Sequence, residues 1–162
     1  RNSGGSRAAA GSKGMTGRKE MGRRASREMA MKLIYQMEIQ KDDREGQKRL
    51  FFEDNDIAGK DREYINDVID GVFSNLEFID NLIETHSMGW KIGRISKIEL
   101  SILRLSIYEI CFREDIPYNV SVNEAVELAK KYSGDEAGSF VNGILSKVPQ
   151  SAAASAEQDG GD

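Results

Sequence analysis

Arg23, Arg24 and Arg27 open an apolar-periodic segment that also carries Tyr35. Arginine offers a planar fork of N–H donors that pairs with phosphate, and an aromatic ring can stack on a base or anchor a protein partner. At about 100° per residue, Arg24, Arg27, Glu28, Met31 and Tyr35 share one helical sector, largely away from the stripe Ala30, Leu33, Ile34 and Met37. Tyr35 therefore reads as a recognition residue or as filler against a neighbouring helix. The arginines read as phosphate contacts or as a solvated helix start. Cations at the positive end of a helix dipole are locally unfavourable, and an external anion would relieve them. Phe140 lies at the edge of a second stripe, Ala137, Val141, Ile144, Leu145 and Val148, beside Glu136, Gly143 and Lys147. Half-buried core and base stacking are both open for it.

Catalysis is poorly served. His86 is the single histidine and Cys111 the single cysteine, too little for a His/Cys metal cluster. Gly11-Ser12-Lys13-Gly14 has the wrong order for a Walker loop and no apolar strand before it. Asp42 and Asp43 sit in a polar stretch and read as solvated surface. Nothing here argues for an enzyme, and neither a metal nor a cofactor is expected. No apolar run approaches the roughly 20 residues of a membrane helix, and no signal-peptide core is present. A soluble, cytoplasmic protein is expected, with Cys111 a buried thiol in an apolar stretch.

The net charge of −4 hides a division. Residues 1–27 hold eight Lys or Arg against one acid, a net of +7, while the remainder carries −11. A basic arm on an acidic body suits nucleic-acid contact, with the body facing other partners. Residues 1–20, rich in Gly, Ser and Ala, read as a disordered basic tail, tag-like in composition, with Met15 and Met21 as candidate natural starts. Residues 21–149 form the candidate domain, and 150–162 a disordered acidic tail.

The elements that must position these residues are helical throughout. Periodicity predicts helices over about 24–40, 47–53 and 61–84, the third broken near Gly71 or Asn75, with Asp61 as its N-cap. Trp90 reads as an anchor pinning the 87–93 connection to the core. Ser96 and Glu99 form a capping box for a helix to about residue 113, and Ser121 and Glu124 another for a helix to about 133. Arg104 interrupts an apolar helix and needs a carboxylate partner. A last helix spans about 136–147, where Gly143 suggests close approach by another backbone. The expected fold is all-α, a compact bundle of about six to seven helices.

One stretch resembles a known family. Asp115-Ile116-Pro117-Tyr118-Asn119-Val120-Ser121-Val122-Asn123-Glu124-Ala125, continuing to Tyr132, and Phe140-Val141-Asn142-Gly143-Ile144-Leu145-Ser146-Lys147, are similar to the signature of the bacterial antitermination family NusB. Arg23-Arg24-Ala25-Ser26-Arg27-Glu28 with Leu33-Ile34-Tyr35-Gln36, and Trp90, Arg94 and Ile95 with the run from Glu99 to Glu109, extend it to residues 21–148.

The resemblance implies a NusB-like fold and binding of the boxA RNA of ribosomal RNA leaders together with the small-subunit ribosomal protein NusE. The assembly helps RNA polymerase pass terminators. It further implies that Arg23, Arg24, Arg27 and Phe140 contact RNA, and that Tyr35, Glu99 and Glu136 form the partner-binding set, Glu136 near the RNA surface. A homodimer of the free protein is left open. Gly138 and Ser139 depart from the pattern, since relatives often carry polar or basic side chains there, and this bears on a supplementary phosphate contact. Two rivals remain: the helical domain of an RNA cytosine methyltransferase, and a protein-binding helical adaptor. The first lacks a dinucleotide-type glycine loop and a catalytic cysteine motif in this chain.

Overall fold

Helix α5, Lys97–Phe112, runs through the middle of the protein because its sequence leaves it no polar face; every residue from Leu100 to Cys111 is buried. The computed structural model describes residues 20–150. Around α5 stand α1 (Arg23–Ile39), α2 (Arg44–Asp54), α3 (Gly59–Ser74), α4 (Leu76–His86), α6 (Tyr118–Ser133) and α7 (Asp135–Leu145), with one 3-10 turn at Ile92–Arg94. Helices α1, α3, α4, α6 and α7 pack directly on α5, while α2 leans on α1. The described residues thus form the expected all-helical bundle, seven α-helices without a strand. Expectations for the two tails lie, apart from Glu20 and Gln150, outside the described residues.

The expected break in the long third helix falls at Asn75, whose backbone and side-chain N–H groups both bond Gly71 O, so the segment is two helices. Other local expectations need correction. Asp61 is not an N-cap. It sits in the first turn of α3, where its carboxylate accepts from Ser26 Oγ at 2.9 Å and from Met21 N at 2.8 Å, tying α3 to the start of α1.

Ser121 does not open α6. That helix starts at Tyr118 behind Pro117, and the Ser121 amide already bonds Pro117 O. Its hydroxyl is therefore available for a tertiary partner. The Ser96 cap is present: its Oγ accepts from Glu99 N at 3.2 Å. The same Oγ donates to Glu99 Oε2 at 2.9 Å, so the carboxylate meets the hydroxyl rather than the backbone.

Arg104, 3 % exposed, finds its carboxylates. It grips Asp80 with two N–H groups, both at 2.9 Å, and Glu38 at 2.7 Å, joining α5 to α4 and α1.

Close approach occurs at a different glycine from the one expected. A Cβ on Gly143 would meet nothing within 4 Å, whereas one on Gly71 would lie 2.0 Å from Cε1 of Tyr108. The Tyr108 hydroxyl donates to Asp67 at 3.0 Å, so the ring is held where it lies. Gly71→Ala should destabilise the protein by about 1–3 kcal/mol through overpacking. Gly143→Ala should stabilise it by about 0.5–1 kcal/mol, because open helix favours alanine. Urea unfolding of the two variants checks the pair; equal shifts would refute this packing.

Candidate nucleic-acid interface

The three arginines at the head of α1 have separate fates. Arg24 keeps 80 % of its side chain in solvent and clasps Glu124 of α6 with two hydrogen bonds, 3.0 and 2.7 Å. Arg23 is exposed, its guanidinium 4.3 Å from the centre of the Tyr64 ring. A guanidinium stacked on a ring retains in-plane donors for an anion. Arg27 is only 3 % exposed. Its Nε donates to Glu109 Oε2 at 2.9 Å, and its Nη1 lies 3.6 Å from Glu124. A side chain so enclosed has no route to a phosphate, and the expectation that Arg27 contacts RNA directly is corrected.

Glu109 explains that burial. It is wholly enclosed on α5 and accepts from Arg27 of α1, Tyr64 of α3 and Ser121 of α6, the last at 2.7 Å. Burial, then the Glu109 charge, pushes the Tyr64 phenol far above its ordinary value, so it remains a donor. Met31, expected in an outward sector with Arg24 and Tyr35, is also buried at 2 %. Long side chains on that face reach across to α6, which runs in the same direction as α1. Arg24 meets Glu124, and Glu28 meets Lys131 and the Tyr132 hydroxyl, one turn further along α1 and about two turns further along α6.

Further along α1, Tyr35 is 36 % exposed. Glu38, three residues on, lies 3.6 Å from Lys97 at the start of α5, so Tyr35 and Glu99 share one end of the bundle.

Beyond the C-terminal end of α6 lies a surface cavity of about 380 Å³, lined by Trp90, Arg94, Glu99, Glu136 and Phe140 among others. Three of the seven candidate residues, Glu99, Glu136 and Phe140, therefore converge on one site. Phe140 is half-buried, and the Trp90 ring meets it edge-on with centroids 6.1 Å apart. Trp90 itself is 51 % exposed, so it does not pin its loop into the core as expected. Ser133 also lines the cavity and lies nine residues beyond Glu124 on α6, which separates it from Arg24 by roughly 14 Å along the helix. Lys131, exposed, stands between the two.

Gly138 is buried, and a Cβ there would press on Lys130 Cγ at 2.8 Å. It is thus a packing position rather than a site for a phosphate-binding side chain. Ser139 is exposed.

Sequence reasoning passed over Trp90, Arg94 and Glu124 as site residues. A lone tryptophan between Gly89 and Lys91, in a polar connection, was the signal available for the first.

Two outcomes follow from these contacts. Arg27→Ala strands a buried carboxylate and should cost about 3–5 kcal/mol, while Arg24→Ala should leave the melting temperature nearly unchanged. Comparable losses for both would contradict their different burial. Hydrogen bonds from Lys131 and Tyr132 hold the Glu28 carboxyl below its ordinary 4.5. Above 4.5 the contribution is fully present, and it is lost as pH falls through the lower folded value. Glu28→Gln should therefore cost stability at neutral pH and flatten the acid limb of stability against pH; an acid limb as steep as that of the unsubstituted protein would contradict the assignment.

The description NusB family matches residues 24–150. Transcription antitermination protein NusB of Acetivibrio thermocellus is 66 % identical over 128 residues, 79 % of this chain and 88 % of that protein. The solved T. maritima NusB superposes with a TM-score of 0.74 at 32 % identity, covering 86 % of this chain and 99 % of that one. A solved complex of the antitermination factors NusB and NusE with dsRNA superposes with a TM-score of 0.70 at 29 % identity, covering 77 % and 93 % of the two chains. With a family match across nearly all the described residues, and a relative two-thirds identical over most of its own length, this chain belongs to the NusB family.

Proposed function

We propose that this chain is a non-enzymatic transcription antitermination factor that binds boxA RNA of ribosomal RNA leaders with the ribosomal protein NusE. In that role it joins the antitermination complex of RNA polymerase in the cytoplasm. The observation that carries the reading is a pair of features set along α6. Arg23 and Arg24 are exposed at the positive end of α1, and a cavity with Phe140 opens past the far end of α6, roughly 14 Å on. A relative solved with NusE and dsRNA shares the fold at 29 % identity, which favours RNA over other polyanions.

In this reading Arg23 and Arg24 take phosphates and Phe140 takes a base. Arg27 acts from inside, fixing the rotation of α1 so that its neighbours face out. Tyr35, Glu99 and Glu136 serve the protein partner, at the end of the bundle where RNA and NusE would adjoin.

Phosphate binding releases condensed counterions, so affinity should fall as salt rises, by about 0.7 in log–log slope per phosphate on a single strand. Arg23→Ala and Arg24→Ala should each lower the slope by about that amount while melting normally. Arg27→Ala should instead lower the melting temperature and leave the slope of the folded fraction intact. Titrating an end-labelled boxA RNA at several salt concentrations, with and without NusE, tests this. Unchanged slopes for both Arg23→Ala and Arg24→Ala would remove them from the site.

A further inference from the structure

Trp90 is the only tryptophan of the chain, and the loop that carries it is built to hold it outward. Ser87, 1 % exposed, donates from its Oγ to Trp90 O at 2.6 Å. The Glu84 carboxylate fixes the other side by accepting from Ile92 N at 2.8 Å. Between these anchors Met88 adopts a φ of 57° and Gly89 one of 94°. A non-glycine residue in the left-handed region is uncommon and persists where its surroundings hold it. What the loop gains is a half-exposed indole whose ring meets Phe140 edge-on at 72°.

This ring pair stands between two hollows. One is the cavity of about 380 Å³ with Glu99 and Glu136; the other, about 300 Å³, is lined by His86, Met88, Gly143 and Lys147. Trp90 and Phe140 line both. Each volume is at the lower end of the range for small-molecule sites, room for one planar group rather than a folded segment.

Charge selects what enters. The carboxylates of Glu99 and Glu136 repel a phosphate, which leaves the first hollow to an uncharged ring. Arg94 and Lys147, one at each hollow, suit the phosphates that flank it.

We infer that Trp90 is a second base-stacking residue, and that it and Phe140 form a wall with one unpaired nucleotide of a single-stranded RNA on either side. The inference rests on the RNA-binding reading above and adds a residue and a stoichiometry to it. Stacking on an aromatic tolerates any base, so the wall contributes affinity while the polar groups around each hollow discriminate.

The experiment uses the full chain and a single-stranded boxA RNA, with binding read twice: by anisotropy of the end-labelled RNA and by emission of the single tryptophan. Expected are quenching of Trp90 over the same RNA concentrations that raise the anisotropy, and a loss of affinity of about 5- to 150-fold for Trp90→Leu. Phe140→Leu should lose affinity over a similar range. Trp90→Phe should recover most of the binding, and both Trp90 variants should melt as the unsubstituted chain does, since the ring is half exposed. If RNA binds normally and Trp90→Leu binds as well as the unsubstituted chain, the wall is refuted while the RNA-binding reading stands. If NusE alone moves the tryptophan emission and RNA alone does not, the face is a protein interface and the inference fails. If the RNA fails to bind with or without NusE, the RNA-binding reading itself falls, and the inference with it.

Discussion

Glu109 is a carboxylate without access to water, and donors from three other helices hold it: Arg27 of α1, Tyr64 of α3 and Ser121 of α6. An isolated buried charge is prohibitively costly, so the helices can close only in the arrangement that supplies all three partners. A well-packed apolar substitute could match such a cluster in stability. It would not set rotation. Because Arg27 must point inward to Glu109, Arg24, three residues earlier, is carried to the seam between α1 and α6. Arg23 is turned to the other side, against Tyr64. The exposed basic pair is thus a consequence of a buried acid.

A second enclosed cluster does the same work at the middle of α5. Arg104 holds Asp80 of α4 and Glu38 of α1, and Glu38 also approaches Lys97. Arg27 pairs with Glu109 late in α5, and Glu38 pairs with Arg104 earlier in it, so α1 runs antiparallel to α5 and is fixed at two points. With α6 parallel to α1, the arginine end and the Tyr35 end of α1 are kept at opposite ends of the bundle. Arg24 and Tyr35 are thus separated by about three turns of one helix.

The helices themselves were legible, because apolar spacing and the Ser96 cap are local signals that packing preserved. So was the need of Arg104 for carboxylates, since a charge inside an apolar helix has few alternatives. What escaped were polar residues with two available roles. Ser121 and Glu124 have the spacing of a capping box, yet Pro117 starts the helix one turn earlier. That freed Ser121 for Glu109 and Glu124 for Arg24 and Arg27. Local spacing cannot tell a side chain that satisfies its own helix from one that satisfies a neighbour. The glycines fail the same way: Gly71 and Gly143 each look anomalous in a helix, and only the position of Tyr108 decides which one is crowded. Within the candidate site, Glu99 of α5 converges with Glu136 and Phe140 of α7. Arg27 was chosen by type and spacing, which carry no information about depth.

Cations at the head of α1 suggested an unmet need for an external anion, since the first turn contains no acid of its own. The fold meets that need from another helix. Glu124 gives Arg24 a two-point carboxylate and stands 3.6 Å from Arg27, so both of these cations are paired within the protein. The force of the phosphate reading therefore lies in access rather than in strain. Arg24 keeps 80 % of its side chain in water while paired, and an exposed ion pair of this kind contributes little to folding. A side chain that stability scarcely needs, held in place by a partner that fixes the plane of its fork, leaves its remaining in-plane donors open to an oxyanion. Arg27, chemically identical and three residues away, is committed to the core.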